Sequence, residues 1–114
     1  EVRDVSVNEQ DILKKMRAEN FVNNNGVVLR AINIGRPDYN KLSSLCRAMI
    51  DIDKSEFIDC INYLSESDYI ILRHCGDKEP ANISDDDFDD IEAKVSPKGI
   101  RILAGKLTDS CIRA

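Results

Sequence analysis

The chain has 114 residues, 42% hydrophobic and 32% charged, with a formal net charge of −5. Those totals describe one small globular domain with a modest core. No apolar run approaches the roughly 18 residues that a membrane-spanning helix needs. The charge is uneven. Residues 77–92 carry eight acids (Asp77, Glu79, Asp85, Asp86, Asp87, Asp89, Asp90 and Glu92) against the single base Lys78, and the rest of the chain is nearly neutral.

Taken in chain order, a first helix is expected over residues 8–22. Ile12, Leu13 and Met16 form its apolar stripe, and Glu9 and Asp11 occupy the first turn, where the helix dipole favours acids. Asn23-Asn24-Asn25-Gly26 is expected to interrupt it, because Asn side chains compete for backbone groups and Gly costs backbone entropy. A second helix then runs to about Asn33, with Val28, Leu29 and Ile32 inward. Gly35-Arg36-Pro37-Asp38 reads as a turn.

Tyr39–Met49 reads as a helix with Leu42, Leu45, Cys46 and Met49 on one face and Asp38 or Asn40 as its cap. Asp53-Lys54-Ser55-Glu56 is the pattern of a reciprocal capping box, an N-cap acid followed three residues later by Glu. The helix it opens extends to about Glu66. Phe57, Ile61 and Leu64 face the core, while Ser55, Glu56, Asp59, Asn62 and Glu66 point outward.

Tyr69–Cys75 is a β-type run. Residues 76–90 read as a long, flexible, acidic loop. Ile91–Val95 alternates apolar and polar residues, as a half-buried strand does. Ser96 and Pro97 supply the N-cap and first-turn proline of a last helix over 97–107, with Ile100, Ile102, Leu103 and Leu107 on its apolar face. Thr108–Ala114 reads as a tail.

This order is mainly α with a small β-hairpin, an α+β class in which residues 1–114 form one domain. It resembles the winged helix-turn-helix superfamily, with the helix-turn-helix at 37–67 and a two- or three-stranded wing at 69–97. Leu42, Leu45 and Met49 resemble the second helix of the motif. Phe57, Ile61 and Leu64, running into Ser65-Glu66-Ser67-Asp68-Tyr69-Ile70, resemble the recognition helix and its exit. Asp68 stands where many members have Gly, a mild departure because Asp tolerates left-handed backbone. Val95-Ser96-Pro97-Lys98-Gly99-Ile100 is similar to the step after the wing in MarR, PadR and ArsR-type regulators. Gly99–Gly105 is also similar to small ArsR-like proteins of Mu-like phages and prophages.

The resemblance implies a DNA-binding transcriptional regulator, of phage or prophage origin, with Lys54–Ser67 in the major groove and the wing against the backbone. The DNA-contacting residues it implies are Lys41, Arg47, Lys54, Ser55, Asn62, Tyr63, Arg73, Lys94 and Lys98, with Arg36 nearby. A homodimer would form through Ile12, Leu13 and Met16 or through Leu103 and Leu107. Against this, Lys54 is the one base on the groove helix, beside Glu56, Asp59 and Glu66, and phosphate attraction requires Lys and Arg. The wing loop is strongly negative. Two other readings therefore stand. The bases are solvated surface charge, or the chain is a protein–protein interaction module on the same scaffold without strong DNA affinity. In the latter case Phe88, Asp86 and Asp87 form a partner-binding tip.

No catalytic, metal or cofactor motif is present. The acidic run at 85–90 lacks the Gly and Glu of an EF-hand loop. Cys46, Cys60, Cys75 and Cys111 include no closely spaced pair, and no secretory signal is evident. Reduced thiols and a cytoplasmic location are the expectation. His74 and Cys75, being adjacent on a strand, point to opposite faces and cannot share a ligand site.

Overall fold

One helix, α1 (Val2–Ile34), stands where two are expected. The computed structural model describes residues 2–84 and 86–114, and side chains from residue 9 onward, so Glu1 and Asp85 lie outside the described residues. The Asn-rich stretch does not break α1, and the C-terminal segment of the chain supplies partners for two of its side chains. Asn25 Nδ2 donates to the Cys111 carbonyl (2.9 Å), and Asn23 Oδ1 accepts from Arg113 Nη1 (2.8 Å). Gly26 sits so close to this segment that a Cβ there would lie 1.9 Å from the Arg113 carbonyl oxygen. The Asn and Gly residues mark a seat for the tail, not a helix end.

After a turn the chain forms β1 (Asn40–Lys41) and then α2 (Leu42–Ala48). The expected Tyr39–Met49 helix is therefore shorter. Its first residues pair with a strand, and neither Asp38 nor Asn40 caps it. The N-cap is Lys41, which makes no side-chain cap bond, while Asn40 Nδ2 donates to the Ile32 carbonyl (3.2 Å). The capping box appears as expected at α3 (Lys54–Glu66). Asp53 accepts from the Glu56 amide (2.9 Å), and the Glu56 side chain accepts from the Asp53 amide (3.3 Å). These bonds hold the Asp53 carboxyl below its ordinary pKa.

β2 (Ile70–His74) and β3 (Ile91–Val95) pair antiparallel, and β1 adds to the far side of β3, giving a sheet in the order β1-β3-β2. The last helix, α4 (Pro97–Leu103), is two turns long and stops before 107, where Gly105 takes φ 74°. Asp68 adopts φ 65°, the left-handed conformation expected of it. The architecture is thus α+β, with four helices around a three-stranded antiparallel sheet among the described residues.

The core lies between α1, α3 and the inner face of the sheet. Val28, Leu29, Ile32, Leu42, Phe57, Ile61, Leu64 and Ile91 are fully buried in it, and Ile102 adds α4. Burial also pushes the Cys60 thiol up to about 12, with Asp59 and Glu56 adding to the effect, so it is a packing group and not a nucleophile.

The tail is part of this core. Ile112 is buried. Asp109 accepts from the hydroxyls of Tyr63 (2.8 Å) and Tyr69 (2.6 Å) and from the Cys111 amide (2.8 Å). Burial and then the bond to Asp109 push the Tyr69 phenol up to about 12, and Tyr63 is raised for the same reasons. Desolvation works against the Asp109 carboxylate, but the hydrogen bonds outweigh it and its pKa is lowered.

Candidate functional site

The sheet has two unlike sides. Cross-strand partners share a face, and residues alternate along each strand. Lys41 opposes Glu92, Arg73 opposes Glu92, and Ile71 opposes Lys94. Lys41, Ile71, Arg73, Glu92 and Lys94 therefore lie together on the outer face. Tyr39 covers part of it, with the Arg73 guanidinium 3.6 Å and the Lys94 ammonium 5.7 Å from its ring centre. Glu92 is buried and bridged by Arg73 Nε and, at 3.5 Å, by Lys78 Nζ. Its desolvation raises the carboxyl pKa, but the Arg73 bond and Lys78 prevail and the net shift is downward.

Beside that patch, the outer face opens into a groove of about 560 Å³ between the turn after α1 and α4. Pro37, Ile71, Val95, Pro97 and Ile100 give it an aliphatic floor, and Arg36, Lys94 and Arg101 stand around it. Ile71 is 40% exposed. None of the three cations makes an ion pair among the described residues, and no acid lines the groove. The side-chain oxygen of Asn33, also in the wall, has no hydrogen-bond partner.

The other side of the hairpin is acidic and closed. The loop after β2 folds back along that strand. His74 N–H donates to the Glu79 carbonyl (2.8 Å), Ala81 N–H donates to the Leu72 carbonyl (3.2 Å), and Arg73 bridges to Pro80. His74 pairs with Asp90 (2.9 Å) and approaches Asp86 (3.5 Å), and the Asp90 bond raises its pKa. Ile83 and Phe88 pack against the core, with the Phe88 ring edge-on to Phe57 at 6.1 Å. A 3-10 turn (Phe88–Asp90) leads into β3. The segment expected as a free loop with Phe88 at its tip is thus folded down. Phe88 is half-buried, and Asp86 faces His74, leaving Asp87 exposed as the N-cap of the 3-10 turn.

The residues expected to touch DNA scatter over five places. Lys41, Arg73 and Lys94 are on the outer sheet face. Lys98 donates to the Ser67 carbonyl (3.1 Å) and lies over the Tyr69 ring. Ser55 and Asn62 are exposed on α3, but Ser55 is bonded to Asp53 (2.8 Å). Tyr63 is not outward. It packs edge-on against Phe21 at 5.5 Å and donates to Asp109, because the tail and α1 lie on that side of α3. Arg47 and Lys54 share one cleft with Ser43, Cys46, Phe88 and Asp89, and Lys54 sits 4.7 Å over the Phe88 ring.

The residues missed from sequence are Ile71, Pro37, Ile100 and Arg101 as members of one groove. A strand period placing Ile71 with Arg73 was the available signal, hidden inside the continuous apolar run Tyr69–Leu72. Among the described residues, no three His, Cys, Asp or Glu side chains come together to hold a metal ion. No protein-family model, curated protein or solved structure matches the chain significantly.

Proposed function

We propose that this chain is a protein–protein interaction module on a winged-helix scaffold, without strong affinity for DNA. The order of helices and strands, with β1 beside β3 and a hairpin after α3, supports the winged-helix part of that reading. The observation that carries the functional part is the cleft of Arg47 and Lys54. Lys54 on α3 and Arg47 beside it lie with Asp89 and Phe88, and α3 itself exposes Asp59 and Glu66. A phosphate backbone brought to that surface meets negative charge on the helix and on the folded-down loop, while attraction to phosphate depends on unopposed Lys and Arg. The reading includes a homodimer, because the N-terminal half of α1 presents Ile12, Leu13 and Met16 to solvent.

Fluorescence anisotropy with mixed-sequence duplex DNA at roughly 50 mM salt, where phosphate attraction is strong, tests it. The expected result is no binding. Binding that weakens steeply with added salt would instead support the second reading, a DNA-binding transcriptional regulator of winged-helix type and phage or prophage origin. That reading is favoured by one observation, the placement of Lys41, Arg73 and Lys94 on a common face.

A further inference from the structure

We infer that the groove on the outer face of the sheet is the docking site of this module, and that it takes an acidic, aliphatic segment of a partner protein. The inference rests on the interaction-module reading above and names the surface and the chemistry of its partner. The groove's volume of about 560 Å³ suits a few anchoring side chains. Its floor of Pro37, Ile71, Val95, Pro97 and Ile100 offers only aliphatic contact, which gains free energy by removing apolar area from water. Arg36, Lys94 and Arg101 surround that floor without a carboxylate, in a chain whose net charge is −5. A segment with aliphatic side chains flanked by Asp or Glu satisfies both features at once. Complementary charge of this kind sets orientation and speeds encounter.

Other occupants fit less well. Duplex DNA could pair with the cations, but its backbone would cover Ile71 and Ile100 without gaining apolar contact or base stacking. The chain's own acidic segment in a second copy is already committed, since Ile83 and Phe88 pack on their own core. Addition of a strand along the β2 edge is also blocked at Leu72 and His74, because residues 79–81 bond the outward groups of both.

The experiment is a titration of the full, isotope-labelled chain followed by amide and methyl NMR. The probe is an amphipathic peptide of Leu and Glu about three helical turns long. Its controls are the same peptide with Lys in place of Glu, and a mixed-sequence DNA duplex. The Leu/Glu peptide is expected to shift the methyls of Ile71 and Ile100 and the amides of Lys94 and Arg101. Ile71→Glu and Arg101→Glu should each weaken it by about tenfold or more. Both residues are exposed, and an otherwise unchanged spectrum verifies that each variant folds. The inference is overturned if the Leu/Glu peptide leaves these signals unmoved or shifts a different surface. It is equally overturned if the Lys peptide binds as well, or if DNA displaces the acidic peptide from the same residues. DNA shifting α3 while the peptide still occupies the groove would overturn the interaction-module reading alone.

Discussion

The two halves of α1 belong to one continuous helix and meet opposite environments. From residue 9 to residue 20 every side chain is exposed, with Ile12, Leu13 and Met16 at 55%, 50% and 55%. From Asn25 to Ile32 the helix buries Asn25, Gly26, Val28, Leu29 and Ile32. Each half carries an apolar stripe at helical spacing. What separates them is the matter opposite: α3, the sheet and the C-terminal tail on one half, solvent on the other. An apolar stripe reports that a face can be buried, not that the same chain buries it.

The largest effect that sharpens this comparison is a paired truncation. Leu29→Ala should cost about 2–5 kcal/mol, because it removes a fully buried side chain and leaves a cavity. Leu13→Ala, in the exposed half, should stay within about 0.5 kcal/mol. Urea denaturation of both variants checks the contrast, and equal losses would break it.

Next comes the tail that seats the buried half. Asp109→Ala should cost about 1–3 kcal/mol by leaving the Tyr63 and Tyr69 hydroxyls without their acceptor. It should also speed amide exchange at residues 22–26, where the tail docks. The same carboxylate sets a pH dependence. Its folded pKa is lowered, so its contribution is fully present above the ordinary value near 3.8 and is lost as pH falls through the folded value. Asp109→Asn should flatten this part of the acid denaturation curve.

A smaller change in folding, but a clear change in assembly, is expected from Ile12→Glu combined with Met16→Glu. If the exposed half is covered by a second copy, the double variant sediments as a monomer while its thermal unfolding, compared at concentrations where both proteins are monomeric, barely moves. A native chain that is itself monomeric would break the dimer reading.

The smallest effect concerns the loop. The bond to Asp90 raises His74, so its contribution is full below the ordinary value of 6.5 and is lost as pH rises through the folded value. Asp90→Asn should bring the NMR midpoint of this single histidine down toward that ordinary value. An unchanged midpoint would remove the pair from the loop's anchoring.

Local rules were legible wherever a residue's partner is near in sequence. The Asp53–Glu56 box, the Phe57-Ile61-Leu64 stripe, the Ser96-Pro97 start and the left-handed Asp68 each depend on neighbours within a turn or two. The misreadings share a different feature. Asn23–Gly26 resembles a helix break until residues 111–113 supply its partners from the far end of the chain. Asn40–Lys41 resembles the start of a helix until Glu92 and Ala93 pair with it. Phe88 resembles an exposed tip until it meets Phe57, and Tyr63 resembles an outward groove residue until it meets Asp109. The candidate groove was the least legible part. Its residues come from three separated stretches of chain, and no local pattern marks Ile71 as the outward member of an apolar run.

By itself, the sequence determined the α+β class, the two best-capped helix starts and the concentration of acid in residues 77–92. Capping, periodicity and formal charge are properties of short stretches of chain. Only the tertiary structure decided that Asp86 and Asp90 fold back onto His74 while cations with no ion pair among the described residues gather around an aliphatic groove on the outer face of the sheet. That segregation depends on strand register and on long-range packing, which bring together residues that a local reading has no reason to join.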